Sequence, residues 1–121
     1  VWVVSGDYKL ANDNVSIPFE PVKCHHFISE STFGLPIFKW KPQQHIFEDI
    51  NNWWKRNAAN NITSVIGGYS LGKTQRILAN IDSSIGPVFT HGAVENILDI
   101  YRNTGYKFPD TTVVNPSLPK D

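Results

Sequence analysis

The 121-residue sequence has no methionine, a single cysteine, no net charge and no long apolar run, and each absence excludes something. One cysteine, Cys24, rules out an internal disulfide and a multi-cysteine zinc cage, and agrees with a reducing, cytoplasmic setting. Eleven basic against eleven acidic residues leave no whole-surface positive field to gather nucleic acid from a distance, so any phosphate binding has to be local. No stretch approaches the roughly 18 to 20 apolar residues of a membrane-spanning helix. The opening VWVVSGDYK is too short and wrongly flanked for a signal peptide, so no membrane partner is expected. Lacking methionine and opening at Val1 inside a strand-like run, the sequence reads as a piece of a longer protein. What is present, 40% hydrophobic and 18% charged residues, suits one compact domain.

Along the chain, residues 1–5 are β-branched and aromatic and stop at Gly6-Asp7, the pattern of a short buried strand. A polar loop follows over 9–21, and residues 22–29 resume strand character up to Glu30. An aromatic linker with Pro36 and Pro42 leads into a predicted helix reaching about residue 59, marked by Ile46, Ile50, Trp53 and Trp54 and stopped by Asn60-Asn61. Residues 64–68 are a third strand candidate, and Ser70 is placed to cap a helix to about Ile81. A fourth strand over 87–90 and a last helix over 93–103 follow; Val94, Ile97, Leu98 and Tyr101 share one face of that helix, and Gly105 is its stop. A tail with Pro109, Pro116 and Pro119 closes the sequence. This alternation predicts an α/β fold with a largely parallel sheet flanked by helices.

Three places have the makings of chemistry. Asp7 and Glu30 each follow a strand, so both acids are expected on the carboxyl edge of one sheet, where parallel sheets place functional carboxylates. There Asp7 would suit divalent metals and Glu30, beside Ser31 and Thr32, the orienting of a histidine; the plain alternatives are a turn cap and an exposed Ser/Thr turn. The segment from Ser70 to Gln75 combines a helix start, Gly72 and Lys73, which are phosphate-binding ingredients. Gly67 to Thr74 also satisfies the letters of a Walker loop, although Tyr69 and Leu71 are bulky for one and no magnesium-holding acid follows. Adjacent His25 and His26 point to opposite faces of a strand and cannot share an ion, and His45 has no partner four residues away. His91, between Thr90 and Gly92, is the histidine placed like a site residue. The aromatic group of Trp40, Phe47, Trp53 and Trp54 reads as core or covered interface rather than as a platform for bases.

Taken together, Ser5 to Lys9, Phe27 to Gly34 and Gly68 to Gln75 resemble successive blocks of the metallo-β-lactamase-fold nucleases that carry a β-CASP domain. The nearest likeness is to the bacterial ligase-associated DNA exonucleases and to exonucleases of messenger RNA 3′-end processing. The resemblance implies an edge of the metallo-β-lactamase domain over 1–34, a β-CASP-like α/β domain over 35–108 and a Pro-rich tail over 109–121. It implies a zinc-dependent exonuclease of DNA or RNA, with Asp7 bridging two zinc ions and Glu30, Ser31 and Thr32 forming the acidic motif that supports a catalytic histidine. Ser70, Gly72, Lys73 and His91 would then face nucleic acid. The family's H-x-H-x-D-H motif is absent, so the zinc site in this sequence is incomplete, the isolated chain is expected to be inactive, and the rest of a parent chain, with a DNA ligase system, becomes the implied partner. The alternatives are a P-loop-like nucleotide-binding protein and a non-catalytic α/β binding domain.

Overall fold

The computed structural model describes residues 1–114; Pro116 and Pro119 of the tail lie outside them. Two parallel strand pairs, rather than one sheet, carry the fold. Strand β1 (Trp2–Val4) pairs with β2 (His26–Ile28), and β3 (Val88–Thr90) pairs with β4 (Thr111–Val113). Between them lie helices α1 (Gln43–Ala59) and α2 (Lys73–Leu78), a 3-10 turn at Ser83–Ile85, and helix α3 (Gly92–Asn103) after β3. Parallel strands need a crossover, and α3 provides it in a β3–α3–β4 unit.

The long loop between β1 and β2 is organised by Asp13. Its carboxylate accepts the backbone N–H of Val15 and Ser16 and the Ser16 hydroxyl, and pairs with Lys9 Nζ at 2.8 Å, while Val15 is buried beside it. Burial alone would raise this carboxyl; the hydrogen bonds from Lys9, Ser16 and Val15 and the lysine's charge outweigh it and lower it from 3.8 to about 2. A carboxyl held below its unfolded value contributes stability above pH 4 that is lost as pH falls toward 2. Asp13→Ala is therefore expected to remove about 2 kcal/mol at neutral pH and to flatten the fall in thermal stability between pH 4 and 2. An unchanged acid profile in the variant would refute this.

The periodic helices form where the spacing places them. Pro42 precedes α1, whose apolar face buries Phe47, and Asn61, at φ 55°, turns the chain out of helical geometry. Helix α3 buries Val94 and Leu98 against Leu78, with Ile81, Val88 and Phe108 packed around them. Gly105, at φ 95°, ends it in the left-handed region that a side chain disfavours.

Two expectations change. Residues 64–68, the third strand candidate, run without a ladder partner among the described residues. The expected tail instead supplies β4: its β-branched Thr111-Thr112-Val113 lies parallel to β3, and Val114 N–H extends the ladder to Thr90 O at 2.8 Å. The prolines at 109 and 116 flank that run without interrupting it, so they bound a strand rather than abolish one.

Candidate functional site

The parallel register pairs Trp2 with His26, Val3 with Phe27 and Val4 with Ile28, so both strands leave the pair at the same edge. Ser5 N–H donates to Ile28 O at 2.9 Å and carries the pairing one step further. Asp7 follows three residues after Val4 and Glu30 two residues after Ile28, which brings the two exits to one edge as their positions predict. The hydroxyls of Tyr8 and Ser29 meet at 3.1 Å across this edge, and the Tyr8 ring packs on Phe19 and edge-on to Phe27. Ser5 Oγ is buried here with no hydrogen-bond partner among the described residues.

The two acids differ in surroundings. Asp7 is exposed, whereas Glu30 is half-buried and its Oε2 accepts the Thr32 N–H at 2.6 Å. Ser31 O accepts the Gly34 N–H at 3.0 Å, so Glu30, Ser31 and Thr32 form the head of a turn. Among the described residues no group of three or more His, Cys, Asp or Glu side chains is placed to hold a metal ion. His26 stacks on Trp2, with ring centroids 4.1 Å apart.

The Walker-like segment adopts a conformation its letters do not reveal. Helix α2 begins at Lys73, with Gly72 rather than Ser70 at its cap position. Gly72 has φ 81° and ψ −70°, and Lys73 N–H donates back to Leu71 O at 3.1 Å, which is the rare γ-turn geometry. Gln75, fully buried, closes this loop from inside: its Oε1 accepts the Gly72 N–H at 2.7 Å and its Nε2 donates to Ser70 O at 2.9 Å. Both the N–H and the hydroxyl of Thr74 donate to Tyr69 O. The N–H groups expected to be free for phosphate are thus engaged at Gly72, Lys73 and Thr74. Lys73 Nζ lies over the Tyr69 ring, 5.1 Å from its centroid.

His91 acts as the cap of α3, its Nδ1 accepting the Ala93 N–H at 3.1 Å. It also lines an apolar groove of about 940 Å³ that runs from Trp53 and Trp54 of α1, past the unpaired 62–68 segment, to Phe89 of β3. Behind His91 lies a polar cluster that the sequence reading did not identify. Glu95 accepts from the Thr90 hydroxyl, from Thr111 Oγ1 at 2.7 Å and from Arg102 at 3.2 Å, and Arg102 also donates to Thr111 Oγ1 at 3.0 Å. Burial works to raise the Glu95 carboxyl, but these hydrogen bonds and the arginine's charge hold it below its usual range. The cluster pins β3 and β4 to α3, and its hydrogen-bonded members lie 5 to 16 positions apart, which hides them from any local motif.

Of the sites named from the sequence, Asp7, Glu30, Ser31 and Thr32 lie at the β1–β2 exit, whereas Ser70, Gly72 and Lys73 at the start of α2 and His91 at the start of α3 lie beside one groove, whose lining includes Gly68, Thr74 and His91. No helix among the described residues is long and apolar enough to cross a membrane. No family model matches the chain, and no solved structure matches it. Over 105 residues, 87% of its length, the chain is 30% identical to a probable DNA ligase of Opitutus terrae (strain DSM 11246 / JCM 15787 / PB90-1). It spans 10% of that protein's length, and is thus similar, across most of its own residues, to a small part of a much longer chain.

Proposed function

We propose that this chain is a part of a DNA-processing protein and that, within it, it belongs to a zinc-dependent nuclease acting on phosphodiester bonds of DNA or RNA. The observation that carries the DNA-processing reading is the 30% identity over 105 residues to a probable DNA ligase. The nuclease reading is finer, and its support is the resemblance of the Asp7, Glu30 and Tyr69 to Gln75 blocks, together with two acids leaving one edge of a parallel strand pair. Zinc ions, where present, would supply Lewis acidity and an activated water. Asp7 would contribute one ligand to them, with the others from outside the described residues. Glu30, Ser31 and Thr32 would position the proton-transferring group, and Ser70, Gly72, Lys73 and His91 would face the nucleic acid. The nucleotide-binding alternative is disfavoured by the loop itself, because a phosphate cradle needs N–H groups that Gln75, Leu71 and Tyr69 already occupy.

The test uses the longer protein and a labelled DNA oligonucleotide. Asp7→Asn and Glu30→Gln are each expected to lower kcat about 10- to 100-fold or more while leaving the Kd for a non-cleavable oligonucleotide unchanged. Chelation of the metal is expected to stop cleavage, and the 121-residue chain alone to show none. Full turnover in both variants would overturn the nuclease reading.

A further inference from the structure

The segment that follows Glu30 has an unusual surface. Between Glu30 and Glu48 the only formally charged side chains are Lys39 and Lys41, and they flank Trp40. Two successive tight turns fold the segment: Gly34 N–H donates to Ser31 O at 3.0 Å and Phe38 N–H to Leu35 O at 3.1 Å. Pro36 sits at the second position of the latter turn, where its fixed φ suits the geometry. The turns bring three rings together. Phe33 meets Phe38 and Trp40 edge to face, each at a centroid separation of 5.2 Å.

These rings pack on one another and stay in solvent. Trp40 is 70% exposed, and Phe33, Leu35, Ile37 and Phe38 are exposed as well. Core aromatics would be buried, as Phe47 is a few residues later. The Lys41 ammonium has a contact at 3.3 Å with Asp49, both partners lying open to water, so that pair is screened and easily exchanged for a phosphate. Rigid exposed rings beside cations, with no acid between Glu30 and Glu48, are what a single strand of nucleic acid recognises: bases stack on the rings and the backbone lies along the lysines. A neutral chain has no long-range field to offer, and a short local strip of this kind needs none.

We propose that Phe33, Phe38 and Trp40, with Lys39 and Lys41, form a stacking platform for single-stranded nucleic acid. The platform starts one residue after Thr32, next in the chain to the turn headed by Glu30. This inference rests on the DNA-processing reading above and locates where in the chain the strand is gripped.

The experiment is a fluorescence-anisotropy titration of labelled oligothymidylate with the 121-residue chain, with thermal unfolding of each variant as a control for folding. Trp40→Ala is expected to weaken binding about tenfold or more, in line with the loss of one stacked base, and Trp40→Phe to retain most of it. Lys39→Gln is expected to reduce the slope of log affinity against log salt by about 0.7, the share of one single-strand phosphate contact. Trp2→Ala, an exposed tryptophan stacked on His26 at the opposite end of β1, is expected to change nothing. Undiminished binding in both Trp40→Ala and Lys39→Gln would overturn the platform and leave the DNA-processing reading standing. No binding by the unsubstituted 121-residue chain would overturn the platform, and extending that absence to the longer protein would overturn the DNA-processing reading too. Self-association that Trp40→Ala abolishes, without oligonucleotide binding, would reassign the strip to a protein contact.

Discussion

Leu98→Ala is expected to lower the stability of the chain by about 3 kcal/mol, seen as a shift in the denaturant midpoint at an unchanged m-value. Leu98 has no exposed surface and packs in α3 against Leu78 and Val94, inside a ring of Ile81, Val88 and Phe108. Truncation removes the transfer energy of three carbons and leaves a hole that this ring fills only in part. The effect matters because the core is thin. Val15, Phe47, Leu78, Val94 and Leu98 are the buried apolar side chains among the described residues, so one of them carries a large share of a marginal total. Ile100→Ala, two positions along and mostly exposed, is expected to cost no more than about 0.5 kcal/mol. Equal effects in the two variants would show that α3 does not pack as described.

Glu95→Ala is expected to cost about 2 to 3 kcal/mol, from a different source. Its carboxylate is the acceptor that Thr90, Thr111 and Arg102 share, and Thr90 is buried. Removing it strands those donors and loosens the grip of α3 on both strands. Arg102 is about one-third exposed and pairs also with Asp99 at 3.1 Å, so water and that acid recover part of its loss and keep the cost below that of a fully buried pair. Glu95→Gln, which keeps an acceptor and loses the charge, is expected to fall between. Since the Glu95 carboxyl is held below its usual range, its contribution is complete above the unfolded carboxyl range and fades in acid. Equilibrium unfolding of the three proteins at pH 7 and at pH 3 checks both statements: the gap between wild type and Glu95→Ala should narrow at the lower pH.

What the sequence determined by itself is what local periodicity and position can carry. The apolar spacing of Ile46, Ile50 and Trp53 sets α1, and that of Val94, Leu98 and Tyr101 sets α3, because a stripe recurring every three to four residues leaves a helix one side to bury. That Asp7 and Glu30 each follow a strand was equally legible, but their common edge follows from the parallel β1–β2 register. Only the tertiary structure decided which strands pair. Residues 64–68 and 111–113 are both rich in β-branched side chains, and nothing local tells that the latter, just past a proline, is the one that joins β3. It decided the fate of the Walker-like letters too, because the groups that occupy the loop come from Gln75, whose burial depends on how α2 packs. Likewise Trp40, grouped by sequence with Phe47, Trp53 and Trp54, stays exposed beside Phe33, while Phe47 is buried and Trp53 and Trp54 are half-buried. Periodicity is a property of neighbours along the chain, whereas ladder partners, buried acceptors and exposure are settled between residues far apart in it.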